Sequence, residues 1–186
     1  LMKRDNLNSL NIQSISGNLT CTKTDNVVTV NMGEPKFDWK DIPLASQQNT
    51  QKVLLDEFEA FCLSMGNPHA VIFMQNLDEL ESLNLNVVGP RLEKNINFPE
   101  FTNIEFACVL EDKTIRMRVW ERGVGVTMAC GSGACATLVA AFKINKSSKS
   151  NKIILDGGSL FVEWLNNGNV TLSGDTEKVY EGIIGG

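Results

Sequence analysis

The 186-residue chain predicts an α+β domain, with an antiparallel or mixed sheet curled around one buried helix. Three observations carry this. Short β-branched and aromatic runs recur between turn residues along most of the chain. Residues 131–142 show no polar face at a period of 3.6, the pattern of a helix buried on all sides. Strand-like runs flank that helix on both sides in sequence, so the natural solution is a sheet wrapped around it. Roughly nine strands and two helices are expected.

From the start, residues 14–30 read as two strands, with turns at Gly17-Asn18 and Asp25-Asn26. The segment 31–35 ends that run. Residues 36–52 carry Pro43 and a polar Ser-Gln-Gln-Asn-Thr cluster, so they form a connection and a domain boundary is expected there. Residues 53–63 alternate weakly and are read as a strand, with 70–74 as its pairing partner and an irregular loop at 64–69 between them. Residues 78–85 are a helix candidate with an acidic first turn, stopped by Gly89-Pro90. Residues 104–110 and 114–120 are strands joined at Glu111-Asp112-Lys113. In the second of these, Ile115, Met117 and Val119 share one face, and Arg116 and Arg118 the other. After the apolar helix, residues 143–152 form a solvated connection and 153–155 a strand. Residues 160–165 and 170–172 form a hairpin about Asn166-Asn167-Gly168-Asn169, and 179–184 a last short strand.

Composition excludes several classes of function. The net charge is -5 and no long basic run occurs, which argues against nucleic acid and anionic membrane surfaces. No apolar run reaches about 18 residues, the minimum for a spanning helix. The first residues are too polar for a signal peptide. The five cysteines (Cys21, Cys62, Cys108, Cys130 and Cys135) form no C-x-x-C pair, which argues for a reducing, cytoplasmic setting over a zinc or disulfide framework. Three N-x-[ST] triplets, at Asn18, Asn145 and Asn169, are read as chance matches.

The chemistry concentrates around residues 121–133. Cys130 directly precedes Gly131-Ser132-Gly133 at the expected helix start. Small residues there leave the first backbone N–H groups uncovered, which makes an anion site. The same field favours a thiolate. Glu121-Arg122 ends a strand just before a glycine loop, where Arg122 can fork onto a carboxylate and Glu121 can hold an ammonium. His69, the single histidine, sits in the loop Gly66-Asn67-Pro68-His69, which presents side chains at a sheet rim. Asn67 and Asn103 each follow a break in the strand pattern. Cys135, inside the apolar segment, is read as packing. These residues fit a thiol enzyme acting on an amino acid, without deciding among thiol chemistries.

Longer motifs narrow that choice. The run Trp120-Glu121-Arg122-Gly123-Val124-Gly125, followed by Thr127 and then Ala129-Cys130-Gly131-Ser132-Gly133-Ala134-Cys135-Ala136, resembles the second cysteine motif of the diaminopimelate epimerase family. Residues 30–35, 64–69, Gly89-Pro90 and Phe98-Pro99-Glu100 with Asn103 resemble further motifs of that family in the same order, so the resemblance spans residues 12–186. It implies interconversion of LL- and meso-2,6-diaminoheptanedioate for lysine and peptidoglycan synthesis, without pyridoxal phosphate and without a metal. Two cysteines, one from each of two similar barrel domains wrapped about a central helix, work on opposite faces of the α-carbon. By that resemblance Cys130 is the second of them. Asn67, Asn103, Glu121, Arg122, Gly131 and Ser132 line the substrate, and His69 and Glu121 set the state of the cysteine. A homodimer is implied for the full enzyme.

The family's other cysteine lies in a C-G-N-G motif, and a G-N-D-F segment also contacts substrate; neither occurs in this sequence. Phe101 stands where a polar or small residue is more usual. The expectation is therefore a piece of the enzyme that is inactive alone. Residues 1–40 are read as a remnant of the first domain, 41–175 as the second domain, and 176–186 as a return to the first. Two other readings compete: a related cysteine-pair racemase of the proline racemase type, and a non-catalytic binding or assembly module.

Overall fold

The computed structural model describes residues 7–14 and 17–183. Among these described residues there are twelve strands in one mixed sheet and three helices. The sheet is open, with β1 (Ser9–Ser14) and β4 (Val53–Leu55) at its two ends. Between them lie, in spatial order, β2 (Gly17–Thr24), β3 (Val27–Asn31), β12 (Val170–Asp175), β11 (Gly158–Trp164), β10 (Ser150–Leu155), β8 (Ile115–Glu121), β7 (Asn103–Val109), β6 (Pro68–Phe73) and β5 (Phe58–Ser64). The two-residue β9 (Gly125–Val126) pairs with β8 off this path. All pairings are antiparallel except β6 with β7 and β8 with β10.

Alternation on these strands builds two cores. On one face Phe61, Leu63, Val71, Ala107, Met117 and Val119 pack against helix α3 (Gly131–Lys143). On the other, Cys62, Ala70, Ile72, Ile104, Phe106 and Cys108 pack against Leu80, Leu85 and Leu92, which come from α1 (Leu77–Ser82) and α2 (Leu85–Glu93). Helix α3 is buried from Gly133 to Ala141 and touches β5, β6, β7, β8, β10, β11 and β12. That is the environment its unbroken apolar sequence demands. Full burial of Leu138 or Val139 contributes roughly 1.5–3 kcal/mol each. The one polar side chain in this stretch, Thr137, is satisfied by donating to Met117 Sδ at 3.0 Å.

Several expectations are corrected. Residues 14–30 belong to three strands, because β1 begins five residues earlier than the β-branched run suggests. Gly17 and Asn18 are strand residues of β2, paired with Ser14 and Gln13, rather than a turn, and Ile15 and Ser16 lie outside the described residues. The turn at Asp25-Asn26 is present, with Asp25 at φ 55°. Residues 53–63 are a hairpin, with Asp56 at φ 53° in its turn, and β5 does pair with β6 as expected. Gly89-Pro90 does not stop a helix; it lies inside α2. Residues 179–183 form no strand, and Ile184 lies outside the described residues. Arg116 and Arg118 do lie on the face opposite Ile115, Met117 and Val119, and both are partly buried. Arg116 binds Glu81 at 2.7 Å and also Asp156. Arg118 donates to the carbonyls of Leu80, Glu81 and Leu83 and so caps the end of α1.

Candidate active site

The sheet and α3 meet at Cys130. Its backbone is extended, at φ -130° and ψ 110°, and it is the N-cap of α3. Its sulfur accepts the Gly133 N–H at 3.4 Å and lies 3.6 Å from Ser132 Oγ. The N–H groups of Gly131 and Ser132 make no hydrogen bond among the described residues, as the geometry of a helix start requires. The loop ahead of Cys130 is braced by Gly157, whose N–H donates to the Met128 carbonyl at 2.6 Å.

The parallel pairing of β6 with β7 sets His69 beside Asn103, and Val71 beside Glu105. His69 is fully buried. Its Nδ1 lies 2.7 Å from Glu105 Oε1, and its Nε2 lies 3.0 Å from Asn67 Oδ1. Asn67 Nδ2 donates onward to Ser132 Oγ at 3.4 Å. A continuous run of contacts therefore joins Glu105, His69, Asn67, Ser132 and Cys130. Glu105 also returns to the site directly, because a Cβ on Gly133 would stand 2.7 Å from Glu105 Oε1 and 3.2 Å from Cys130 Sγ.

Glu105 escaped sequence reasoning. It is a single acid in the run Asn103-Ile104-Glu105-Phe106-Ala107-Cys108, every residue of which is buried. An acid at a fully buried strand position is a detectable signal, since charged side chains almost never go inside unpaired. Its Oε2 has no hydrogen-bond partner among the described residues.

Burial pushes the Cys130 thiol up to about 12, and the nearby Glu105 carboxylate adds to that. The bonds from Ser132 and Gly133 pull the other way and lose. A helix start alone was expected to favour the thiolate; burial and the buried acid Glu105 reverse the balance.

The remaining site residues bound the mouth. Glu121 Oε1 accepts from Thr127 Oγ1 at 2.5 Å, across the β8–β9 turn. Asn103 is a clamp: its Oδ1 accepts the Arg122 N–H at 2.9 Å, and its Nδ2 donates to the Pro68 carbonyl at 2.8 Å. It ties the loop bearing Arg122 to the strand bearing His69. The Arg122 side chain donates to the Glu100 carbonyl at 3.2 Å. A further acid missed in the sequence, Glu93, accepts from Trp120 Nε1 at 2.8 Å and from the Gly123 N–H at 2.7 Å, and so fixes that loop from α2. Cys135 packs in the core around α3, as expected, while Cys62 and Cys108 lie in the other core.

Gly133→Ala tests the crowding around the sulfur. Alanine in a helix is ordinarily favoured over glycine by about 1 kcal/mol. Here the added methyl meets a carboxylate pinned by His69 and the sulfur itself, so a net loss of about 1–3 kcal/mol is expected in urea unfolding. A stabilised variant would show that Glu105 can move aside.

The chain, a mixed sheet holding one enclosed helix, has an α+β fold shared with several solved structures. Among solved structures it is similar to a hydroxyproline epimerase from Agrobacterium vitis (TM-score 0.60, 12% identity, 90% of this chain and 56% of that one). It is also similar to the phenazine biosynthesis protein of the PhzF family from Bacillus anthracis (TM-score 0.59, 16% identity, 94% of this chain and 69% of that one). The chain belongs to the diaminopimelate epimerase family, whose model matches residues 61–179. It is 44% identical over 177 residues to the diaminopimelate epimerase of Rhodospirillum centenum, covering 93% of this chain and 60% of that protein. It is 43% identical over 164 residues to that of Acetivibrio thermocellus, covering 85% and 58%. The chain thus spans about three fifths of the length of these relatives.

Proposed function

We propose that this chain carries one half of a diaminopimelate epimerase site, with Cys130 as the base and acid for one face of the α-carbon. The observation that supports this most is the Cys130 sulfur at the head of α3, beside two helix-start N–H groups that make no bond among the described residues. A substrate α-carboxylate seated on the Gly131 and Ser132 N–H groups brings Cα over the sulfur. As the thiolate takes the Cα proton, negative charge spreads into that carboxylate, where the helix start stabilises it. Return of a proton from a thiol on the opposite face inverts the centre, without pyridoxal phosphate or a metal. Arg122 and Glu121 fit the distal carboxylate and ammonium of 2,6-diaminoheptanedioate. Asn67 and Asn103 complete the wall, and His69 with Glu121 sets the state of the sulfur.

The described cysteines offer no partner thiol for the far face. Cys62 and Cys108 lie in the opposite core, Cys135 is one turn inside α3, and Cys21 is in β2. The 186-residue chain alone is therefore expected to show no turnover. The finer architecture proposed is a barrel drawn around α3, with residues 41–175 as one domain and residues 1–40 and 176–186 belonging to a second. The setting proposed is a cytoplasmic homodimer.

Exchanging the matched segment of the Rhodospirillum centenum enzyme for this chain tests the reading. The chimera should convert LL- into meso-diaminopimelate and wash deuterium into Cα, with no reaction on L-proline or L-lysine. The isolated chain should do neither. A folded chimera that is inert on diaminopimelate, or that prefers proline, overturns the assignment; exchange by the isolated chain overturns the one-thiol argument.

A further inference from the structure

We propose that Glu105 is a positioning residue for the proton transfer: with His69 it forms a buried acid–imidazole pair that takes up the Cys130 proton internally, through hydrogen bonds relayed by Asn67 and Ser132. This rests on the function proposed above and extends it to a residue that the Cys130 motif does not contain.

The geometry allows two complete hydrogen-bond patterns. In the first, every donor points toward the sulfur. His69 Nε2–H donates to Asn67 Oδ1, Asn67 Nδ2–H to Ser132 Oγ, and the Ser132 hydroxyl and the Gly133 N–H to a Cys130 thiolate. A second proton is then shared between His69 Nδ1 and Glu105 Oε1 across 2.7 Å. In the second pattern the Asn67 amide is turned over. The Cys130 thiol donates to Ser132 Oγ, the Ser132 hydroxyl to Asn67 Oδ1, and Asn67 Nδ2–H to a bare His69 Nε2. The imidazole proton then sits on Nδ1 and donates to the Glu105 carboxylate. Which way an amide and an imidazole face follows from the bonding around them, so the sulfur's own state selects the pattern.

The two patterns hold the same number of protons. Going from the second to the first, the S–H bond breaks and an Nε2–H bond forms, while one proton stays between Nδ1 and Oε1. The charge summed over Cys130, His69 and Glu105 is minus one in both. No proton has to leave for solvent, and no net charge is added to a region where burial makes extra charge costly. The other ionisable groups that interact with Cys130, His69 or Glu105 are Glu121 at the end of β8, Cys62 on β5 and Cys135 on α3. The unpaired Glu105 Oε2 accords with this role, since a carboxylate retained only for packing has no reason to leave a buried oxygen without a donor.

Glu105→Gln separates this role from a bystander's. A carboxylate that merely sat near the sulfur would repel the thiolate, so neutralising it would speed alkylation of Cys130. A carboxylate that stabilises the protonated imidazole does the opposite. Iodoacetamide labelling of the 186-residue chain at neutral pH, read at the Cys130 peptide by mass spectrometry, is expected to slow by about tenfold or more in Glu105→Gln, because a hydrogen bond to a charged group is lost. Ser132→Ala, which cuts the relay at a half-buried position, is expected to slow it likewise. Unchanged or faster labelling in either variant overturns the proposal. A reading that survives poor folding of Glu105→Gln comes from His69, the single histidine, whose ring nitrogens give an unambiguous ¹⁵N spectrum. Both patterns keep a proton on Nδ1, so the parent's ring should be protonated on Nδ1, with Nε2 either bare or protonated, and Cys130→Ser, whose hydroxyl does not ionise, should show Nδ1 alone; a ring protonated on Nε2 alone in either protein fits neither pattern and overturns the relay. None of these readings uses substrate. An inert chimera with the expected labelling therefore defeats only the assigned reaction, and an active chimera with unchanged labelling defeats only the role of Glu105.

Discussion

Cys130→Ser in the epimerase chimera is expected to lower the interconversion of LL- and meso-diaminopimelate by a factor on the order of 10³ or more, the scale seen when a catalytic nucleophile or base is removed. The loss is chemical rather than structural. A hydroxyl at this position can still accept the Gly133 N–H, as the sulfur does at 3.4 Å. Serine is among the preferred N-caps, so the start of α3 should hold as well or better. The expected signature is a split: deuterium uptake at Cα disappears while the urea midpoint stays or rises. Activity within tenfold of the parent would remove Cys130 from the chemistry.

Gly89→Ala is expected to give the largest loss of stability from a single methyl group, about 3 kcal/mol, at the upper end for overpacking. A Cβ on Gly89 would lie 2.3 Å from Trp120 Cδ2, 2.5 Å from Cγ and 2.6 Å from Cε3. The ring cannot slide away easily, because its Nε1 is bound to Glu93, which is itself buried and also holds the Gly123 N–H. The same substitution on an exposed helix face would gain about 1 kcal/mol, so the sign of the change distinguishes a packed contact from helix propensity. Urea unfolding reads the stability. Because Trp120 immediately precedes Glu121 and Arg122, the variant should also weaken substrate binding in the chimera. A variant as stable as the parent would mean that α2 can shift off β8.

The Gly89 contact also shows where sequence reasoning stops. A Gly-Pro pair is a helix stop by local rules, yet here Gly89 is the one residue that lets an indole lie against α2, and the helix continues through Pro90. That cause is tertiary and leaves no mark in the neighbouring residues. The opposite holds for α3, whose apolar composition on every side stated its own burial. The thiol at its head was likewise legible, because glycine, serine and cysteine at a helix start act through the backbone next to them. Glu105 and Glu93 were not, since each does its work through partners 27 or more residues away: His69 is 36 from Glu105, and Trp120 and Gly123 are 27 and 30 from Glu93. Hairpins followed their turn residues well where a strong signal such as Asn166-Asn167-Gly168-Asn169 was present. They were merged where the turn was carried by Asp56, a residue that enters positive φ without advertising it.

The two parallel pairings carry one more consequence, which concerns chirality. Strand β6 reaches β7 through α1 and α2, and β8 reaches β10 through α3. Both crossovers step the same way across the sheet, but β7 and β8 are antiparallel, so the second is entered from a strand of opposite sense. Crossovers of this kind are almost always right-handed. Two of the same hand, stepping the same way from strands of opposite sense, must place their connections on opposite faces. That is where the two cores put α3 and the α1–α2 pair. The separation between an enclosed helix that presents a thiol and an outer pair that shields the sheet's back is thus set by the handedness of L-amino acids once the strand order is chosen, before any side chain is specified.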